Sequence, residues 1–369
     1  MRCQHTWENG KCKYCGANRA QYDRVETIET YAYPFIHKSI KEILNKNMQF
    51  DVIIGNPPYQ MSSNADGIQA IPLYHHFVEQ AKKLSPHYLI MIIPARWYTG
   101  GMGMNDFRQN MLRDKHIKAL VDYPKSRECF QGVDIAGGIC YFLWDKSYNG
   151  PCNVTNILNG TSNTMLRNLN DNEIFIRDNV GVSIINKVSC KNNNLSMIVY
   201  PISPFGLPTS TRGENKPFDN SCVLISSQGR SYISESMIRN KELMKKYKVY
   251  IGQLNPDRAG VNNSSDGKMN VTTKIYTALP NEVTTATYLV IGDFYSQREA
   301  DNYTSYIKTK FSRFLISLTL SSMHITKQSF QFVPLQDFSH PWTDEMLYKK
   351  YNLDKDEIAF IESMIRPME

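Results

Sequence analysis

Residues 56–59 read Asn-Pro-Pro-Tyr and follow directly on the apolar run Phe50-Asp51-Val52-Ile53-Ile54-Gly55. Two carbonyl acceptors placed together, the Asn56 side chain and the Pro57 backbone, can take both N–H bonds of a planar exocyclic amine such as that of adenine. Held in this way the nitrogen moves toward a tetrahedral shape, and its lone pair, otherwise delocalised into the ring, points at an incoming methyl group. The same dipoles stabilise the positive charge that develops on nitrogen during transfer, so no strong general base is needed at that moment. Pro57 and Pro58 fix φ and stiffen the turn that aims the carbonyl. Tyr59 supplies an aromatic face, and a base inside duplex DNA has to be rotated out of its stack to reach such a pocket. The competing reading is a strand followed by an ordinary Pro-rich turn.

Such a loop needs a rigid sheet edge behind it. Phe50, Val52, Ile53 and Ile54 read as a buried parallel strand opening at Asn56, the end at which open α/β sheets bind ligands. Residues 26–47 read as a connecting segment with one short amphipathic helix around Ile36–Leu44, and the polar stretch 61–67 as a loop beside the site, a lid, a DNA contact or a plain linker. Pro72 opens a helix with Leu73, Phe77, Ala81 and Leu84 at helical spacing; His75 and His76 upon it read as surface or interface residues. Tyr88–Pro94 is a second buried strand running into Ala95–Gly100, and Gly100, Gly101 and Gly103 lack the spacing of a cofactor loop. Asn105 is expected to cap a helix through Leu112, Ile117–Asp122 to form a third strand, and Val133–Asp145 a hairpin turned at Gly137-Gly138.

These segments carry a resemblance. The tetrad is similar to the catalytic motif of adenine-specific DNA methyltransferases of type II restriction-modification systems, in which Asn at the first position goes with adenine. The likeness continues through IPLYHHFVEQAKKL, YLIMIIPARWYTGG, DFRQNMLRDKHIKALVDYP and GVDIAGGICYFLWD, which resemble the second half of the family's catalytic domain. KTKFSRFLISL and HITKQSFQFVPLQDF resemble its recognition region. The resemblance implies an α/β fold, a partial Rossmann-like methyltransferase sheet followed by an α+β target-recognition domain. It implies Asn56, Pro57, Pro58 and Tyr59 as catalytic residues, S-adenosylmethionine as donor and double-stranded DNA as substrate. It also implies an aromatic residue brought by the hairpin to the flipped base, with Phe130, Tyr141 and Phe142 as candidates, each equally readable as core. The family's Gly-rich donor turn and acidic ribose ligand have no counterpart in residues 1–55 or downstream. The expectation is therefore a chain that binds the donor poorly alone and needs a separate upstream methyltransferase half as protein partner. Two other readings stay open: a noncatalytic DNA-binding remnant or subunit, and a methyltransferase of RNA or protein amide.

Cys3, His5, Cys12 and Cys15 form C-x-H-x6-C-x2-C followed by Gly16, four soft ligands suited to structural tetrahedral zinc. A reduced terminus with fortuitous cysteines is the alternative. The eight cysteines are otherwise scattered and suggest no disulfide framework. Residues 1–25 are thus read as a zinc knuckle, 26–147 as the C-terminal part of a catalytic domain and 148–369 as a recognition domain.

From about Tyr148 onward Asn, Ser, Thr and Tyr rise and the doubly wound patterning stops. Polar side chains and cations suit base edges and phosphates, and Arg212, Arg230, Lys245, Lys246 and Lys248 are candidate contacts. A helix over Gln297–Leu318 has Phe311, Phe314, Leu315 and Leu318 on one face, bordered by Lys308, Lys310 and Arg313. Thr343 is expected to cap one late helix, and Ile358, Ile361 and Met364 to pack another. The excess of 42 Lys+Arg over 35 Asp+Glu, a formal +7, is compatible with a polyanionic partner without diagnosing one. No apolar run is long enough to span a bilayer, so no membrane is expected and the cytoplasm is the default.

Overall fold

A computed structural model of the protein describes residues 6–13, 19, 34–44, 48–60, 71–99, 103–135, 137–172, 174–188, 193–254, 256, 267–320 and 324–368. Two compact units divide the chain, Met1–Asn179 and Val180–Glu369.

The first unit begins with a small hairpin, β1 (Trp7–Glu8) and β2 (Lys11–Cys12). Its turn is Asn9-Gly10, with φ of 51° and 75°, the left-handed pair that a two-residue hairpin demands. The helix expected around Ile36–Leu44 is two pieces, α1 (Pro34–His37) and α2 (Ile40–Leu44). Ser39 interrupts it because its hydroxyl accepts from Glu42 N at 3.2 Å while Glu42 accepts from Ser39 N at 2.6 Å, a reciprocal cap that starts a new helix.

The main sheet follows: β3 (Val52–Gly55), β4 (Tyr88–Pro94), β5 (Ile117–Tyr123), β6 (Ile139–Asp145), β7 (Cys152–Leu158) and β8 (Thr161–Arg167). Their spatial order is β3-β4-β6-β5-β7-β8. β3 runs parallel to β4 and β5 parallel to β7, while β6 lies antiparallel between β4 and β5. The sheet is mixed, and one face is covered by α3 (Tyr74–Lys83) and α4 (Asn105–Arg113). Phe77, Val78 and Ala81 of α3 and Phe107, Met111 and Leu112 of α4 are buried, as are Leu89, Met91, Ile93, Leu120 and Phe142 of the strands. Full burial of each such Val, Leu, Ile, Met or Phe side chain contributes roughly 1.5–3 kcal/mol.

Four expectations change. Among the described residues β3 is an edge strand rather than a buried one, with Val52 48% and Ile54 74% exposed. Residues 133–135 and 137–138 form no strand: the hairpin partner of β6 is β5, and Gly137-Gly138 enters β6 instead of turning within it. Asn105 is the first residue of α4, whose cap position is Met104 without a side-chain cap. The division between units falls after Asn179 rather than near Tyr148, because β7 pairs with β5 and extends the sheet in spite of its polar composition. Thr155 and Thr164 meet across β7 and β8 at 2.8 Å, a polar cross-strand pair on an outer face.

In the second unit α5 (Asn179–Val188) leads to β9 (Ser221–Ser226), β10 (Gly229–Ser234), α6 (Lys241–Met244), β11 (Tyr247–Gly252), β12 (Tyr276–Ala278), β13 (Glu282–Thr284) and β14 (Tyr288–Phe294). They form two three-stranded sheets, β10-β9-β13 and β12-β11-β14. Helices α7 (Gln297–Lys308), α8 (Lys310–Ser317), α9 (Asp344–Lys350) and α10 (Lys355–Met364) complete the unit. The single helix expected over Gln297–Leu318 is thus two: Thr309 leaves helical geometry at ψ 148° and its hydroxyl accepts from Ser312 N as the cap of α8. Phe311, Phe314 and Leu315 enter the core with Ile361 of α10, and Thr343 caps α9 as expected. No helix among the described residues is long and apolar enough to cross a membrane.

Candidate active site

The tetrad sits at the C-terminal end of β3, where chain direction and the parallel neighbour β4 bring two strand ends to one sheet edge. Asn56 is exposed, Pro57 buried, and Pro58 and Tyr59 half-buried. The chain then doubles back: Leu73 N donates to Tyr59 O at 3.1 Å, and Gln60 bridges Pro72. The loop is therefore held at both ends, by β3 before it and by the start of α3 after it. The Tyr59 hydroxyl is buried with no hydrogen-bond partner among the described residues. Burial, and after it the neighbouring Cys129 and Cys140, pushes its pKa up to about 12. The phenol stays protonated at neutral pH, so Tyr59 presents a neutral ring.

The ends of β4 and β5 and the entry to β6 are fastened to one another close by. Gly138 has φ 74°, and a Cβ there would lie 2.2 Å from Tyr123 O and 2.6 Å from Pro124 O, so no other residue lets this segment approach β5 so closely. Gly138 O accepts from Ala95 N at 3.0 Å, tying in the 3-10 turn Ala95–Thr99 that follows β4. Ser126 Oγ accepts from Ile135 N at 2.8 Å and donates to Val133 O at 3.0 Å.

A fork from Arg177 completes the arrangement. Its Nε and Nη2 donate to Asp122 at 2.7 and 2.8 Å, and its Nη1 to Gly137 O at 2.8 Å. Asp122, at the end of β5, is fully buried, and a planar guanidinium suits such bidentate pairing. The Arg177 guanidinium also lies 5.6 Å from the centre of the buried Tyr98 ring. Asp122 and Arg177 were absent from the sequence expectations. The signal for the first was an Asp following the apolar run Ala119–Val121 near the end of a strand; Arg177, 55 residues away from it, offered none.

The other expected residues are dispersed. Phe142 is core, Phe130 is half-buried, and Tyr141 is half-buried on the sheet face away from α3 and α4. Cys140 accepts from Trp97 Nε1 at 3.4 Å, and burial pushes its thiol up to about 12, which leaves no thiolate for nucleophilic chemistry. The His75 and His76 rings lie tilted against each other, centres 3.9 Å apart. Burial first, then His76, lowers the His75 pKa to about 4, so this ring is neutral.

Among the cations of the second unit, Arg212 is exposed and donates to Thr209 O and Thr211 O. Arg230 pairs with Glu282 at 2.6 Å, Lys245 with Glu242 at 3.1 Å, Lys246 with Asp293 at 2.6 Å, and Lys310 with Glu362. Lys308 is half-buried. Lys248 is no surface contact: it is buried and donates to Met244 O and Leu279 O, and burial lowers its pKa to about 8. Nor does Arg313 border a wet face, since it is buried and donates to Arg366 O and Lys308 O.

Of the zinc set, Cys3, His5 and Cys15 lie outside the described residues. Cys12 is buried with its Sγ 3.5 Å from His37 Nε2, and no group of three or more His, Cys, Asp or Glu among the described residues could hold a metal ion. Among the described residues β3 has no strand on its outer side, so no Gly-rich strand-end turn stands beside Asn56 there.

Residues 1–130 match the family of the Eco57I restriction-modification methylase. An adenine-specific methylase of Mycoplasma pneumoniae, itself uncharacterised, is 42% identical over 149 residues, covering 38% of this chain and 35% of that protein. Among solved structures, the type IIG restriction endonuclease BpuSI gives a TM-score of 0.38 at 12% identity, over 85% of this chain and 48% of that one. The type IIL restriction-modification enzyme MmeI, solved in complex with DNA, gives 0.34 at 9%, over 76% and 46%. The chain thus spans about a third of the length of the curated relative.

Proposed function

We propose that this chain, similar over its first 130 residues to restriction-modification methylases, is the acceptor side of a site-specific DNA adenine methyltransferase. It modifies the exocyclic nitrogen of adenine. The flipped base enters beyond the C-terminal end of β3, where Asn56 Oδ1 and Pro57 O take its two amino hydrogens and Tyr59 stacks on its ring. S-adenosylmethionine supplies the methyl group and is held by a donor-binding half outside the residues described. Unit Val180–Glu369 contacts double-stranded DNA, with Arg212, Arg230, Lys245, Lys308 and Lys310 as contacts to phosphate or base.

The observation that carries this reading is the state of the tetrad. Asn56 is open to solvent at a strand end, while the loop behind it is fixed by a buried Pro57 and by the Leu73 N to Tyr59 O bond. An amide retained only for packing would be buried and satisfied. The test is transfer of labelled methyl to duplex DNA by the chain assembled with its donor half. Asn56→Ala should abolish transfer and leave DNA binding unchanged, whereas a noncatalytic DNA-binding subunit would show no transfer to lose.

A further inference from the structure

At the end of β4 one residue stands out of the core while its neighbours are sunk in it. Pro94, Ala95, Trp97 and Tyr98 are buried, and Arg96 among them is exposed. The chain is fastened on both sides of it: Ala95 N donates to Gly138 O at 3.0 Å, Trp97 Nε1 to Cys140 at 3.4 Å, and the Tyr98 ring centre lies 4.4 Å from that of Phe175. The Arg96 stem rests on Gly137, where a Cβ would come within 3.3 Å of Arg96 Cγ and where φ is 86°. Gly137 O in turn accepts from Arg177 Nη1, so the shelf beneath the stem is held by the same guanidinium that grips Asp122. Burial, and after it Cys140, pushes the Tyr74 phenol up while the Arg96 charge holds it back. The charge is therefore felt at the first residue of α3, next to Leu73, whose N bonds Tyr59 O.

β3 and β4 run parallel, so Arg96 and Asn56 stand beyond the same sheet edge. Gly55 pairs with Met91, which sets Arg96 roughly 10 Å farther out than Asn56 along the strand direction, at about 3.3 Å per strand residue and 2 Å per residue of a 3-10 turn. We propose that Arg96 is a positioning residue that holds a phosphate flanking the flipped adenosine. The inference rests on the methyltransferase reading above. An adenosine whose amine meets Asn56 carries its phosphates at the opposite end of the nucleotide, toward the rim that Arg96 occupies. A guanidinium presents a planar fork that matches two phosphate oxygens. Its anchored stem leaves little side-chain freedom to lose on binding, which favours accurate placement of the strand and, through it, of the base.

The test compares wild type, Arg96→Gln and Arg96→Lys in the assembled enzyme on long unmodified duplex DNA. Gln keeps part of the stem over Gly137 and, at an exposed position, should leave the unfolding midpoint in place. The expected result for Arg96→Gln is about a tenfold rise in KM for DNA at unchanged kcat, as for one charge-assisted contact made alike in ground and transition states. The salt dependence of DNA binding should fall by about one counterion. Arg96→Lys should restore that salt dependence and only part of the affinity, since a point charge replaces a fork. A second comparison locates the contact: the modified adenine is mapped by sequencing, and duplexes with a neutral methylphosphonate at one or the other linkage beside it are assayed. At one of the two linkages the substitution should weaken binding by wild type about tenfold and binding by Arg96→Gln no further.

Wild-type affinity and salt dependence in Arg96→Gln overturn the proposal. So do losses that add at both linkages, or a lowered unfolding midpoint shared by Arg96→Lys, which would make the side chain structural. The two readings fail separately. No methyl incorporation, together with a salt dependence that Arg96→Gln lowers, removes the methyltransferase reading and keeps the cation on DNA phosphate; methyl incorporation that Arg96→Gln leaves untouched does the reverse.

Discussion

The two units treat their polar groups in opposite ways. In the first, Asn56 is exposed at a strand end, and the Tyr59 hydroxyl is buried without a hydrogen-bond partner among the described residues. In the second, several candidate DNA-contacting cations are engaged within the unit, Arg230 with Glu282, Lys246 with Asp293 and Lys310 with Glu362. Lys248 and Arg313 are drawn into the core altogether. The contrast teaches that charge and residue type alone do not mark a site. A site is marked by groups whose demands the fold leaves open, while paired cations must exchange a carboxylate for a phosphate before they bind.

That contrast can be broken at several points. The strongest perturbation should come from Arg177→Ala, which strands the fully buried Asp122 carboxylate and is expected to destabilise the first unit by about 3 kcal/mol. Adding Asp122→Asn should recover part of that loss in urea unfolding. If Arg177→Ala were silent, the fork would be decoration rather than a fastening of the strand-end loops.

At Tyr59 ring and hydroxyl separate. Tyr59→Ala should weaken methyl transfer by roughly 1–3 kcal/mol through lost stacking. Tyr59→Phe should retain transfer and leave stability unchanged or slightly raised, since the hydroxyl it removes has no partner among the described residues. Equal losses in both variants would mean that the hydroxyl, not the face, is used.

His75 gives a pH signature to the first unit. Its ring takes up a proton near pH 6.5 when unfolded and only near 4 when folded, so the unfolded chain binds more protons in that window. Stability must then fall as pH drops from 6.5 toward 4, by roughly 1–2 kcal/mol for a half-buried ring. His75→Gln should remove this slope, and an unchanged slope would show that the ring is solvated.

The smallest effect is expected in the second unit. Lys245 pairs with Glu242 in the open, so Lys245→Ala should change stability by less than about 0.5 kcal/mol. If Lys245 reaches phosphate, the same variant should lower the dependence of DNA affinity on salt by about one counterion.

The sequence was most legible where local pattern and tertiary structure agree. Tyr88–Pro94 is a strand with those bounds, and the helix carrying Phe77 and Ala81 is present because both its start signal and its apolar spacing point the same way. Legibility failed where the deciding contact is distant or absent. Val52 and Ile54 read as buried because apolarity reports what a strand requires, not whether its cover is present. β7 was assigned to another domain because polar Asn153 and Thr155 hid its pairing with β5. Thr309 was read as helix interior although its hydroxyl caps a new one. Within the site the tetrad was visible from residue type and spacing, while the Asp122–Arg177 fork was not, since nothing local links residues in β5 and in the segment before α5.

The most direct measurement is single-turnover transfer of labelled methyl from S-adenosylmethionine to the amino nitrogen of adenine in duplex DNA. It compares the assembled enzyme containing wild-type chain with one containing Asn56→Ala. The account predicts a loss of at least about a hundredfold, the size expected for one preorganised charge-stabilising group, with DNA affinity and unfolding midpoint unchanged. Transfer at wild-type rate by the Asn56→Ala enzyme would contradict it.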